Sequence, residues 1–282
     1  MELAPVKSIM LTVVIAWSGA LWAQDFVSEM IPTQLVEEGT PIRLELLIRK
    51  PSTPGPYPTV VFNHGSTGRG DNPDLFQRTW THLAVAKVFN EKGWMIVFPQ
   101  RRGRGQSNGK YDEGFEPDGS RYSCQPALSL AGLERAILDL DEVMAHLKTR
   151  SDVRHDRLLI AGQSRGGILS IAYAGVRPNV FTGAVNFVGG WMTDRCPDPG
   201  AINTATFRRG AAFKRPTLWL YGEADRFYSL SHSKDNFEAF KAAGGTGTFH
   251  AYWVPGNNSG HGLISHPALW QDHLSEYLRT LD

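Results

Sequence analysis

Apolar residues in this chain occur in two regimes. Short unbroken runs at 59–62 (TVVF), 94–98 (WMIVF), 158–161 (LLIA), 183–188 (GAVNFV) and 217–221 (TLWLY) are rich in β-branched and aromatic residues. They predict strands covered on both faces. Between them apolar positions recur every three or four residues, as at Leu130, Leu133, Ala136, Ile137, Leu140, Val143, Met144 and Leu147. That period predicts a helix over 127–148, with others over 83–93, in the stretch after Arg165, over 236–243 and over 267–281. Residues 33–50 read as two strands about a turn at Glu38-Gly39-Thr40, the second alternating Ile42, Leu44 and Leu46 with Arg43 and Glu45. A last strand is expected over 248–254. Alternating strands and helices call for parallel strands joined by helical crossovers, an α/β architecture. The chain reads as one domain over 24–282, with 190–214 an irregular or short-helical segment expected to cap the site.

The first residues break this pattern. Lys7 precedes the apolar run Ile9 to Trp17, and small residues follow at Ser18, Gly19, Ala20 and Ala23. This is the arrangement of a signal peptide over 1–23, with cleavage after Ala20 or after Ala23. The run is shorter than the roughly 20 residues of a membrane span. An exported chain, periplasmic or secreted, is therefore expected, without stable membrane insertion. In that setting the two cysteines, Cys124 and Cys196, suggest a disulfide, with two separate buried thiols as the alternative.

Charge adds little. Lys plus Arg number 29 against 28 for Asp plus Glu, so no large field recruits nucleic acid or an anionic membrane. The spacings of a metal site or a dinucleotide fingerprint are not present in the sequence, and cofactor-free chemistry is expected.

The chemistry centres on LLIAGQSRGG, residues 158–167. A strand ends at G-x-S-x-G and a helix begins, which holds Ser164 out of the sheet as a nucleophile and aims helix N–H groups at a developing oxyanion. Ligands of such sheets bind at the carboxyl ends of the strands. This places His64 to Ser66, Gln100 to Arg102, Ser164, Gly189 to Trp191, Asp225 and His261 on the shortlist. A serine hydroxyl needs a base oriented by a carboxylate. Asp225 lies in LYGEADRFY and His261 in NNSGHGL, after successive strands. Glu223 is the rival acid. Of the rival histidines, His250 falls in a strand and His273 in a helix, which makes them structural, whereas His266 stays open. His64 is expected to shape the loop bearing Ser66.

With these residues placed, the chain resembles the dienelactone-hydrolase-like branch of the α/β-hydrolase family. The resemblance rests on VVFNHGS, MIVFPQRRGRGQS, LLIAGQSRGG, LWLYGEADRF and SGHGL, in family order over essentially the whole mature chain. It implies an α/β-hydrolase fold, a mostly parallel sheet of about eight strands with helices on both faces. It also implies Ser164 as nucleophile, His261 as general base, Asp225 as the carboxylate fixing its tautomer, and the backbone N–H groups of Ser66 and Arg165 as the oxyanion hole. The dienelactone hydrolases themselves use cysteine at the elbow. The serine members of the wider group include esterases and oligopeptidase-like enzymes, so the expectation is an ester-cleaving serine hydrolase acting on a small molecule. An oligopeptidase or amidase, or a silent binding protein on the same fold, is the alternative.

Loop residues are harder to place. Trp191, Tyr111, Phe115 and Tyr122 are expected either to line an acyl or aryl pocket or to cover core. Arg165, Arg195, Arg208 and Arg209 could select an acidic substrate, with the last two read as solvated surface. Arg101, Arg102 and Arg104 are read as part of a structural turn. The long stretch 100–124 is too rich in glycine and charge for a regular element.

Overall fold

The computed structural model describes Met1, residues 25–256 and residues 260–281. The signal segment expected over 1–23 lies, beyond Met1, outside them. Eight strands form one sheet in the order β1-β2-β4-β3-β5-β6-β7-β8. The strands are β1 (Val27–Glu37), β2 (Thr40–Arg49), β3 (Tyr57–Asn63), β4 (Met95–Pro99), β5 (Val153–Gln163), β6 (Gly183–Phe187), β7 (Thr217–Gly222) and β8 (Gly247–Tyr252). The β1–β2 hairpin turns at Glu38-Gly39, where both residues take positive φ, and joins β4 antiparallel through Leu46↔Pro99. Every other pairing is parallel.

The helices are α1 (Leu83–Glu91), α2 (Pro126–Leu147), α3 (Arg165–Val176), α4 (Ala205–Gly210), α5 (Leu230–Ala242) and α6 (Pro267–Arg279). Packing sets α1 beside α6 and α2 beside α3, which also carries α4. The β4 run is buried at every residue, and so is the Leu158–Gly162 part of β5, as continuous apolar strands between two helical layers require. Each such Val, Leu, Ile or Phe contributes roughly 1.5–3 kcal/mol by leaving water.

Two boundaries differ from the sequence pattern. Strand β5 begins at Val153 rather than 158, because Val153 pairs with Tyr57 across a register irregularity before the regular ladder starts at Thr59↔Leu158. Helix α5 begins at Leu230 rather than 236, since the Ser229 side chain accepts the His232 N–H and caps an earlier turn.

The parallel register aligns the strand ends. Asn63 pairs with Gly162, Gly162 with Asn186, and Phe187 with Leu220. The loops after β3, β5, β6 and β7 therefore leave one edge together. The long segment after β4 folds over that edge without becoming regular. Its folding is directed by buried charge: Arg102 donates from its backbone to Asp139 (3.0 Å) and from its guanidinium to Glu37 (2.9 Å). The segment ends at Cys124, joined to Cys196 with a Cα–Cα distance of 5.4 Å. Within 190–214, Trp191, Met192, Thr193 and Arg195 border the site, while α4 lies against α3: the Gly175 Cα faces the Arg209 backbone so closely that a Cβ would sit 2.1 Å from its carbonyl oxygen.

Candidate active site

Ser164 joins β5 to α3 with φ 56° and ψ −123°. A non-glycine residue in that region is strained, and such strain collects where geometry matters for chemistry. The turn closes only because its neighbours lack side chains. A Cβ on Gly162 would sit 2.2 Å from the Gly166 carbonyl oxygen, and one on Gly166 2.1 Å from that of Asn63. The elbow thus presses against the end of β3, next to the loop that carries Ser66. The Ser66 backbone N–H donates to no described residue. Neither does that of Arg165, the first residue of α3, where a helix leaves its N–H groups without intrahelical partners. Both are free to meet an oxyanion.

His64, fully buried, holds that loop. Its Nε2 accepts the Arg101 backbone N–H (3.3 Å), which assigns the proton to Nδ1, 2.8 Å from the Gly65 carbonyl oxygen. Burial, reinforced by the charges of Arg101 and Arg104, keeps the imidazole well below its usual pKa and so neutral. The Arg101 guanidinium donates to the His64 carbonyl (3.0 Å) and to Glu113. Burial by itself would raise the Glu113 carboxyl; Arg101 and Arg165 overcome it and hold the group ionised.

His261 follows β8, in a short 3₁₀ segment over Gly260–Ser265. Its Nδ1 lies 2.7 Å from Asp225 Oδ2, and His261 lines the same cavity as Ser164. The Asp225 carboxylate is wholly buried, and its Oδ1 accepts the backbone N–H groups of Phe227 (2.8 Å) and Tyr228 (3.3 Å). Contact between the two loops is set by Gly222 and Gly260, each of which would drive a Cβ to within 2.3 Å of the other's backbone. Glu223, the rival acid, is exposed. The rival histidines do not line the cavity that holds Ser164: His250 and His273 face each other with ring centroids 3.8 Å apart, and His266 sits at the N-cap position of α6.

Ser66, Ser164, Arg165 and His261 all line one cavity of about 690 Å³, walled by Tyr122, Trp191, Phe227 and Tyr228. The Tyr228 hydroxyl donates to the Gly190 carbonyl (2.7 Å) beside the elbow. Arg69, Arg121, Arg195 and Arg226 stand around the mouth.

The structure corrects two expectations. Tyr111 does not reach the cavity. It is 7% exposed, packs against Phe76, and meets Tyr122 hydroxyl to hydroxyl at 2.6 Å. Because the loop turns back between them, Tyr122 takes the wall and Tyr111 supports it from behind. The Arg165 guanidinium is not available to a substrate either. It donates to the Glu113 carbonyl (2.7 Å) and to Met192 Sδ (2.9 Å), and stacks 3.6 Å from the Tyr122 ring centroid and 4.7 Å from that of Trp191. Arg209 pairs with Glu134.

Sequence reasoning missed Phe227, Tyr228 and Glu113. The first two immediately follow Asp225 and Arg226 in ADRFY and were traceable from the aspartate. Glu113 sits in an irregular loop with no pattern to mark it. Among the described residues, no group of three or more His, Cys, Asp or Glu could hold a metal ion, and no helix is long and apolar enough to cross a membrane.

Residues 44–266 match the model of the dienelactone hydrolase family. No curated protein matches the chain. Among solved structures, the esterase Pf2001 of Pyrococcus furiosus is 16% identical, with 95% of this chain and 96% of that one covered and a TM-score of 0.63. Est1E from Butyrivibrio proteoclasticus, solved with ferulic acid bound, is 16% identical over 86% of this chain and 96% of that one, at a TM-score of 0.60. The acylaminoacyl peptidase of Pyrococcus horikoshii is 16% identical over 92% of this chain at a TM-score of 0.60, and this chain spans 42% of its length. These likenesses establish the α/β-hydrolase fold.

Proposed function

The chain belongs to the dienelactone hydrolase family, and on that premise we propose that it is an exported serine hydrolase that cleaves carboxylic esters through an acyl-enzyme on Ser164. The observation that carries this reading is the 2.7 Å contact between His261 Nδ1 and Asp225 Oδ2, at the cavity that Ser164 also lines. Asp225 fixes the tautomer in which Nε2 is a base. His261 takes the Ser164 proton as Oγ attacks the ester carbonyl, and the N–H groups of Ser66 and Arg165 stabilise the oxyanion. The proton then passes from His261 to the departing alkoxide. Water, activated by the same imidazole, releases the acid.

Export is supported by Lys7, the apolar run Ile9 to Trp17 and the small residues through Ala23, and a Cys124–Cys196 disulfide suits an oxidising compartment.

Labelling with a fluorophosphonate probe tests the nucleophile. Modification confined to Ser164 and lost in Ser164→Ala is expected; a folded protein that takes no label would instead be a silent binder. Amide cleavage is the second reading, favoured by the fold shared with an acylaminoacyl peptidase. Matched ester and amide substrates separate the two: an ester preference is expected, and equal kcat/KM values would reassign the enzyme as an amidase.

A further inference from the structure

His261 borders two cavities. Besides the large one it shares with Ser164, it lines a second of about 380 Å³ together with Trp80, His82, Gln163, Phe227 and Ser265. Neither Ser164, Ser66 nor Arg165 lines this second space, so it touches the base without touching the nucleophile or the oxyanion donors. Phe227 lies between: it lines both cavities, and its ring stands 4.7 Å from that of His261, edge to face.

Resting on the serine-hydrolase reading, we propose that the second cavity receives the alcohol portion of the ester, and that it is built for an uncharged alcohol bearing an aromatic ring. When the tetrahedral intermediate collapses, the carbon–oxygen bond to the alcohol breaks and its electron pair stays on that oxygen, which takes the proton from His261 Nε2. The leaving oxygen must therefore lie against His261, whereas the acyl part stays with Ser164 and the oxyanion donors. Of the two cavities that His261 lines, the second meets the first condition without the second. Its size falls within the range of about 300–1,000 Å³ usual for ligand sites.

The walls are held in place. The Trp80 backbone is fastened at both ends by the Gln100 side chain, which accepts its N–H (2.7 Å) and donates to its carbonyl (2.9 Å). His82 Nε2 meets Ser265 Oγ (3.3 Å) in the wall of the cavity, while its Nδ1 accepts the Val85 N–H. Trp80 and Phe227 offer aromatic surface. No carboxylate lines the space, and Arg226 at its edge disfavours a cationic alcohol.

Methyl and benzyl esters of one acyl group, compared in the wild-type enzyme and in Ser265→Trp, test this. The wild-type enzyme is expected to favour the benzyl ester in kcat/KM, and the benzyl-to-methyl ratio to fall at least tenfold in the variant. An unchanged ratio overturns the proposal. Should Ser265→Trp fail to fold, the wild-type enzyme suffices: an acyl-enzyme offered benzyl alcohol in place of water is expected to form the benzyl ester at a rate that saturates with alcohol. A strictly linear dependence overturns the proposal. An enzyme whose Ser164 takes no fluorophosphonate overturns the hydrolase reading and this inference with it; a labelled enzyme that fails the ester or alcohol test overturns this inference alone.

Discussion

Arg165 Nη1 donates to the Glu113 carbonyl oxygen at 2.7 Å, fastening the residue after Ser164 to a loop 52 residues earlier in the chain. On its other side Glu113 accepts from Arg101, whose guanidinium also holds the His64 carbonyl. The segments bearing Ser66 and Arg165 are thereby tied through one buried residue, Arg165 reaching the Glu113 backbone carbonyl at 2.7 Å and its carboxylate at 3.4 Å.

Glu113→Gln is therefore expected to act on both stability and catalysis. It leaves two buried guanidinium groups without their anion, which costs about 3–5 kcal/mol. Because the tie bears on oxyanion geometry, kcat is expected to fall at least about tenfold with little change in KM. Urea unfolding and steady-state kinetics of the variant check this; full stability with full kcat would detach Glu113 from the site.

Ser164 is held at φ 56°, a conformation costing on the order of 1–3 kcal/mol for a residue with a Cβ. Ser164→Gly removes that strain and returns some entropy to the unfolded chain. It is expected to be inactive yet more stable by about 1 kcal/mol, whereas Ser164→Ala keeps the strain and is inactive without the gain. Thermal unfolding of the two variants side by side distinguishes these outcomes.

Cys124 and Cys196 close a loop with a sequence separation of 72. In the chain-entropy model the bond stabilises by about 4 kcal/mol. Reduction, or replacement of both cysteines by serine, is expected to lower the unfolding free energy by that order. It is also expected to raise KM, because Cys124 lines the larger cavity. The mass of the non-reduced protein should be two hydrogen atoms below that of the reduced form.

Asp152 provides a pH test remote from the site. A side-chain hydrogen bond from Arg150, opposed by partial burial and helped by Lys50, holds its carboxyl down to about 2. Since the folded-state value lies below the unfolded one, the contribution is present above about pH 4 and is lost as pH falls toward 2. After screening it is on the order of 1 kcal/mol. Asp152→Asn should be less stable than the wild type by that amount at pH 7, with the gap closing by about pH 2; a gap independent of pH would remove the ion pair as its cause.

The elements, and the residues that meet at the candidate site, were legible in the sequence because both are written in local pattern. Continuous apolar runs marked the buried strands, a helical period marked α2, and G-x-S-x-G between strand and helix marked Ser164. Asp225 and His261 followed from lying just past strands whose ends a parallel sheet must align. What local pattern does not encode is the fold of an irregular loop stabilised by contacts distant in sequence. From composition, Arg165 and Tyr111 were equally good candidates for facing a substrate. Only the tertiary structure, by burying Glu113 between two arginines and turning the loop so that Tyr122 covers Tyr111, decided that one is a strut and the other a support. The same holds for the second cavity, whose walls come from segments as far apart as Trp80 and Ser265 and meet only because the sheet brings their strand ends to one edge.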